Sequence, residues 1–112
     1  MFARNDQRRV KMIRGLVLHL LWLAGNGESL NPNNPFAMSR TILVSALEQL
    51  QQLPPIPEMN AAARYLEEKS YLEVTWAKDG TGYFESVKLT ANGMDLVEGA
   101  RTDVGVIVPR LN

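Results

Sequence analysis

The sequence predicts a mainly helical α+β fold: a three-helix core, a two-stranded β-hairpin and one extra C-terminal helix. Three observations predict it. Apolar residues recur at helical spacing over three segments, roughly 6–24, 39–53 and 57–69. Leu72, Val74 and Trp76 alternate with Glu73 and Thr75, the period of a half-buried strand. Asp79-Gly80 then reverses the chain, and a Thr-capped helical segment follows the returning strand.

Helix 1 is expected from about Asp6, a good N-cap, to Ala24, with Gly25 as its stop. Val10, Ile13, Val17, Leu20, Leu21 and Ala24 share one face, with Leu16 and Leu23 beside them. Arg8, Lys11, Gly15 and His19 lie on the other side. Leu18 and Trp22, four residues apart, project from that polar side. Exposed together, they mark a contact surface, covered either by the segment Val104 to Val108 or by a second subunit.

Residues 25–38 form a loop rich in Asn, Gly and Pro, with Ser29 to Asn31 as a candidate short strand. Ser39 caps helix 2, which is expected to reach about Leu53. Pro54-Pro55-Ile56-Pro57 makes the turn, and Pro57 suits the first position of helix 3, where its missing N–H costs little. Helix 3 is expected to run to about Lys69. Met59, Ala62, Ala63 and Leu66 face the core, while Asn60, Ala61, Arg64, Glu67 and Glu68 face outward.

The second strand of the hairpin spans Tyr83 to Leu89, with Val87 and Leu89 inward. Thr90 caps a helix over Ala91 to Glu98, and Gly99 ends it. Residues 1–100 read as one domain. Residues 101–112 form an apolar tail that packs on the domain or on a partner.

The run Leu66-Glu67-Glu68-Lys69-Ser70-Tyr71, the hairpin, and Leu89-Thr90-Ala91-Asn92-Gly93 together resemble the winged helix-turn-helix superfamily of bacterial and phage regulators. More narrowly, the chain resembles a small uncharacterised winged-helix family of Mu-like phages and prophages. The resemblance covers about residues 8 to 100. It implies a DNA-binding transcriptional regulator of phage type, in the cytoplasm of a bacterial host. One departure is Ser70, where that superfamily usually has a glycine in left-handed conformation.

Carried onto this chain, the resemblance implies that helix 3 enters the major groove of double-stranded DNA. Asn60 would then pair with adenine, and Arg64 with guanine or phosphate. Lys78 at the hairpin tip, Lys88 on the returning strand, Thr81 with the tip amides, and Arg40 at the start of helix 2 would reach the backbone. A homodimer would double these contacts and set half-site spacing.

Charge argues the other way. Twelve basic residues balance twelve acidic ones, for a formal net charge of zero. Arg4, Arg8, Arg9, Lys11 and Arg14 against Asp6 give residues 1–24 a net +4, so the remaining 88 residues sum to −4. Glu58, Glu67 and Glu68 flank the outward face of helix 3, where phosphates would be repelled. The alternative reading is a winged-helix protein that serves as an interaction or assembly module without binding DNA.

Other classes find little support. The chain has no cysteine, which excludes a disulfide framework and a thiolate metal site. His19 is the only histidine, so neither a multi-His metal site nor a His-based triad can form within one chain. It reads as an exposed or subunit-facing residue. Glu67 and Glu68 are adjacent on a helix and diverge, and no Gly-Lys-Ser/Thr phosphate loop is present. No enzyme activity, cofactor or small-molecule substrate is expected. The most apolar run, Leu16 to Ala24, is nine residues and is interrupted by His19. A bilayer span needs roughly 20. No signal-peptide cleavage site follows that run, so neither a leader nor a membrane partner is expected.

Overall fold

A computed structural model describes residues 3–27 and 33–109, with side chains from Gln7 onward. Four helices and three strands follow one another as α1 (Ala3–Asn26), β1 (Ala37–Ser39), α2 (Arg40–Gln49), α3 (Ile56–Glu68), β2 (Leu72–Trp76), β3 (Phe84–Leu89) and α4 (Ala91–Glu98). The fold is α+β and mainly helical. The antiparallel sheet has the order β1-β3-β2, so the returning hairpin strand is central.

Local chemistry sets most of the boundaries. The Ser39 hydroxyl accepts the N–H of Ile42 at 3.3 Å and starts α2. The Thr90 hydroxyl accepts from Gly93 at 3.1 Å and starts α4, while Gly99 ends it in left-handed conformation (φ 86°). At the end of α3, Ser70 takes the left-handed conformation too (φ 65°), in spite of its Cβ. Strain of this kind costs about 1–2 kcal/mol. It is offset locally. The N–H groups of Ser70 and Tyr71 donate to the carbonyls of Glu67 and Leu66, each at 2.9 Å, and the Ser70 carbonyl accepts the Thr90 hydroxyl at 2.6 Å.

Three boundaries differ from expectation. The first helix already begins at Ala3, so Asp6 lies inside it rather than capping it. It also continues through Gly25. A Cβ there would lie 2.0 Å from the Phe36 ring, so this glycine serves close packing and not helix termination. Helix 2 stops at Gln49, after which Gln51 turns the chain at φ 59°. The Ser29–Asn31 segment lies outside the described residues. The strand that joins the hairpin is Ala37–Ser39, which pairs with Ser86–Lys88 of β3. Within the hairpin, Trp76 faces Phe84 and Thr75 faces Ser86, which leaves Glu85 as a bulge that bends β3 toward its tip.

The core forms around α1, against which α2, α3, α4, β1 and β3 all pack. Leu18, Leu21, Leu43, Leu47, Leu66, Phe84, Val87 and Leu89 are fully buried within it. Each such side chain contributes about 1.5–3 kcal/mol on leaving water. The expectation for Leu18 is thereby corrected: it has no exposed surface in the single chain and cannot serve as a subunit contact. Trp22 is half-buried, and its indole N–H donates to Glu98 of α4 at 2.9 Å. His19 is not exposed either. It is only 7% exposed and stacks on Trp22, with ring centroids 6.1 Å apart. A helix covered by elements from five distant parts of the sequence has no polar side in its middle.

Residues 101–109 lie back over α1 and α3. The Ile107 N–H donates to the Lys11 carbonyl at 3.1 Å, and Arg14 donates to the Gly105 carbonyl at 3.0 Å. Val106 is buried. Asp103 accepts the Tyr71 hydroxyl and, at 2.7 Å, the Gly105 N–H. These bonds, the Tyr71 hydroxyl first, hold the Asp103 carboxyl below its ordinary pKa. The segment reaches α1 because Gly15 has no side chain: a Cβ there would stand 1.9 Å from the Ile107 carbonyl oxygen.

Two outcomes follow from this packing. Gly15→Ala forces the segment off α1 and destabilises the chain by about 1–3 kcal/mol or more. Urea denaturation measures the loss, and faster proteolysis beyond Arg101 locates it. The second concerns His19, whose two ring nitrogens are buried without a hydrogen-bond partner. Burial disfavours the charged ring and lowers its pKa below 6.5. The unfolded chain therefore binds the proton more tightly, and stability falls as pH drops below about 6.5. The Asp103 contribution is lost only on titration below about pH 4, so the two windows separate. Urea midpoints at pH 7.5 and 5.5 differ in the native chain, and the difference shrinks in His19→Leu.

Candidate nucleic-acid interface

The outward face of α3 and the hairpin are joined by one aromatic side chain. Trp76 ends β2 half-buried, and its indole N–H donates to both Glu67 carboxylate oxygens, at 3.1 and 3.3 Å. The Arg64 guanidinium, one helical turn before Glu67, lies over the same ring with its carbon 4.5 Å from the centroid. Phe84 also packs on Trp76, in an edge-type pairing with ring centroids 6.4 Å apart. An otherwise mobile arginine is thus held where β2 meets the hairpin turn.

A second arginine is held the same way. Arg40 opens α2, and its guanidinium carbon lies 4.5 Å from the centre of the Tyr83 ring and 5.9 Å from that of Phe84. Its Nε is buried without a hydrogen-bond partner. Two cations from two helices therefore rest on neighbouring aromatics of one hairpin. Asn60 is half-buried one turn before Arg64 on α3, and its Oδ1 is likewise buried and unpartnered.

The hairpin tip behaves differently from expectation. Asp79 accepts both the N–H and the hydroxyl of Thr81, at 3.0 and 2.7 Å. The Tyr83 N–H in turn donates to the Thr81 hydroxyl at 3.3 Å. Thr81 is therefore corrected as a phosphate donor, because its own donors are engaged inside the turn. These bonds, the side-chain one first, keep Asp79 ionised below its ordinary pKa, so the tip carries an anion beside the exposed Lys78. Lys88 is exposed on β3 directly opposite Glu73 of β2. It occupies the sheet face that alternates away from Val87 and Leu89, apart from Arg64 and Arg40.

Two of the four described cations in the first half of α1 are engaged within the chain. Arg9 pairs with Glu58 at 2.8 Å, an exposed contact worth at most about 1 kcal/mol. Arg14 sits 3.5 Å above the Tyr65 ring and bonds the Gly105 carbonyl. Trp76 and Tyr83, the two platforms, do not emerge from a reading of charge and spacing alone. Their signal is positional: aromatics at the two hairpin ends nearest the turn, on the sides that alternation turns toward the helices.

Among the described residues, no group of three His, Asp or Glu side chains gathers to hold a metal. Among the same residues, no helix is long and apolar enough to cross a membrane. No protein-family model, curated protein or solved structure matches the chain significantly.

The tip bonding is directly measurable. In Thr81→Ala the Asp79 carboxyl loses its largest stabilising contact, and its titration moves up toward the ordinary aspartate value. Carboxyl ¹³C shifts followed by NMR over an acid titration read the change.

Proposed function

We propose that the chain is a winged helix-turn-helix module that binds double-stranded DNA, as a phage-type transcriptional regulator in a bacterial cytoplasm. The observation that carries this reading is the pair Arg40 and Arg64, held by Tyr83 and Trp76 at the turn end of one hairpin. With α3 in the major groove, Arg64 addresses base edges, while Asn60, whose Oδ1 is enclosed, does not offer adenine the expected bidentate pair. Arg40, at the N-terminus of α2, meets backbone phosphate, where the helix dipole adds to its charge. Lys78 extends the contact along the hairpin. Holding both guanidiniums on aromatic rings lowers the entropy lost when they bind.

A second reading is favoured by the engagement of Arg9 with Glu58 and of Arg14 with residue 105. With these cations engaged, and Glu67, Glu68 and Asp79 near the same face, the positive stripe that DNA binding requires is short. On this reading the chain is an assembly module without DNA affinity.

Fluorescence anisotropy on a duplex library separates the two. DNA binding at about 50 mM salt is the expected result, with a log–log salt slope that reflects only a few phosphate contacts. Arg64→Ala, at an exposed position, weakens the preferred site about 5- to 150-fold with the fold retained. No binding at this low salt overturns the DNA reading and leaves the assembly module.

A further inference from the structure

Among the described residues, one stripe of α1 is apolar and only partly covered. Met12, Leu16, Leu20 and Leu23 follow one another at spacings of four, four and three, and so line one side of the helix. Met12 and Leu23, at the two ends of the stripe, are each 44% exposed, with half-buried Leu16 and Leu20 between them. Beside Met12 and Leu16 an open groove of about 250 Å³ is completed by Leu50, Gln52, Ile107 and Pro109. None of the residues lining the groove is charged.

We infer that this stripe is the contact surface for a second copy of the chain, with the two α1 helices antiparallel. The charge distribution along α1 selects that occupant. Arg8, Arg9, Lys11 and Arg14 all lie in its first half, and its last turn carries no basic residue. The carbonyls at that end keep the partial negative charge of the helix dipole. A parallel pair would stack the two basic halves on each other. An antiparallel pair sets the exposed Arg8 of each copy beside the carbonyl end of its partner.

The apolar register agrees with this arrangement. A two-fold axis crossing α1 near Val17 and Leu18 brings Met12 opposite the partner's Leu23, and Leu16 opposite the partner's Leu20. The stripe from Met12 to Leu23 is about 16 Å long. The protruding Leu23 of each copy then meets the groove beside the other's Met12, twice over, as a closed two-fold contact requires. A knob at one end and a hole at the other match each other only in a copy run in reverse. The surface lies on α1, so the inference is independent of whether the hairpin and α3 bind DNA.

Light scattering over a dilution series and cysteine cross-linking test it. The native chain is expected to be a dimer that dissociates on dilution. Leu23→Glu raises the dissociation constant at least tenfold with an unchanged circular dichroism spectrum, and Met12→Lys does the same as an independent variant. Because the chain has no cysteine, Met12→Cys and Leu23→Cys each introduce a single thiol. On mild oxidation, an equimolar mixture of the two forms a covalent dimer in higher yield than either alone. A native chain that stays monomeric throughout the series overturns the inference. So does a dimer that both charge variants leave intact, or a Met12→Cys chain that cross-links chiefly to itself.

Discussion

The close approach that glycine permits on α1 is the constraint on which the rest of the structure depends. Among the described residues, all the other helices and two of the three strands pack against this helix. At Gly15 the backbone of residues 107 and 108 occupies the space of a Cβ, and at Gly25 the Phe36 ring does. One contact fixes the segment that follows α4, and the other fixes the approach to β1. Each allows apolar side chains on either side to close over the helix, which is how Leu18 and Leu21 come to be fully buried. It is also how His19, a residue that prefers water, comes to be enclosed with neither nitrogen bonded.

Aromatic rings play the corresponding part for the charged residues. Four cation–ring contacts place Arg14 on Tyr65, Arg40 on Tyr83, Arg64 on Trp76 and Lys69 near Tyr65. Each ring also belongs to the packing that joins one element to the next. Trp76 ties β2 to α3 through both Arg64 and Glu67. The glutamate that would repel phosphate in the proposed complex is the same one that bonds the indole on which Arg64 rests. Its presence on this face has a local structural reason that net charge does not express.

What was legible in the sequence was local. The Ser39 and Thr90 caps, the Gly99 stop, the buried face of α3 and the alternation of β2 all depend on neighbours within four residues, and each follows from its own pattern. What was not legible depends on distant partners. The three-residue β1 has no period of its own and exists because β3 offers it an edge. Leu18 and His19 lie off the main apolar face of α1, and only the arrival of other elements buries them. Gly25 has the composition of a stop and the role of a contact. In the site, Arg40 and Arg64 were readable as basic residues at helix positions, but the rings that hold them were not. Thr81 was misread because a hydroxyl at a turn tip resembles a free donor, although Asp79 two residues earlier is the usual partner in such a turn.

The two surfaces are linked by the arithmetic of phosphate contacts. Each chain offers Arg40, Arg64 and Lys78 on its hairpin side, while the cations of α1 are turned to internal partners or lie apart. Non-specific DNA affinity grows with each neutralised phosphate, and three contacts give only a weak complex. In the proposed dimer, two copies joined through α1 would present the same three cations twice, at a fixed separation. The second set then binds at the effective concentration set by the first. A neutral chain with few exposed cations can in this way hold DNA without a basic surface. The two proposals together would give the apolar stripe of α1 and the ring-held arginines a part in one mode of binding, although each stands on its own observations.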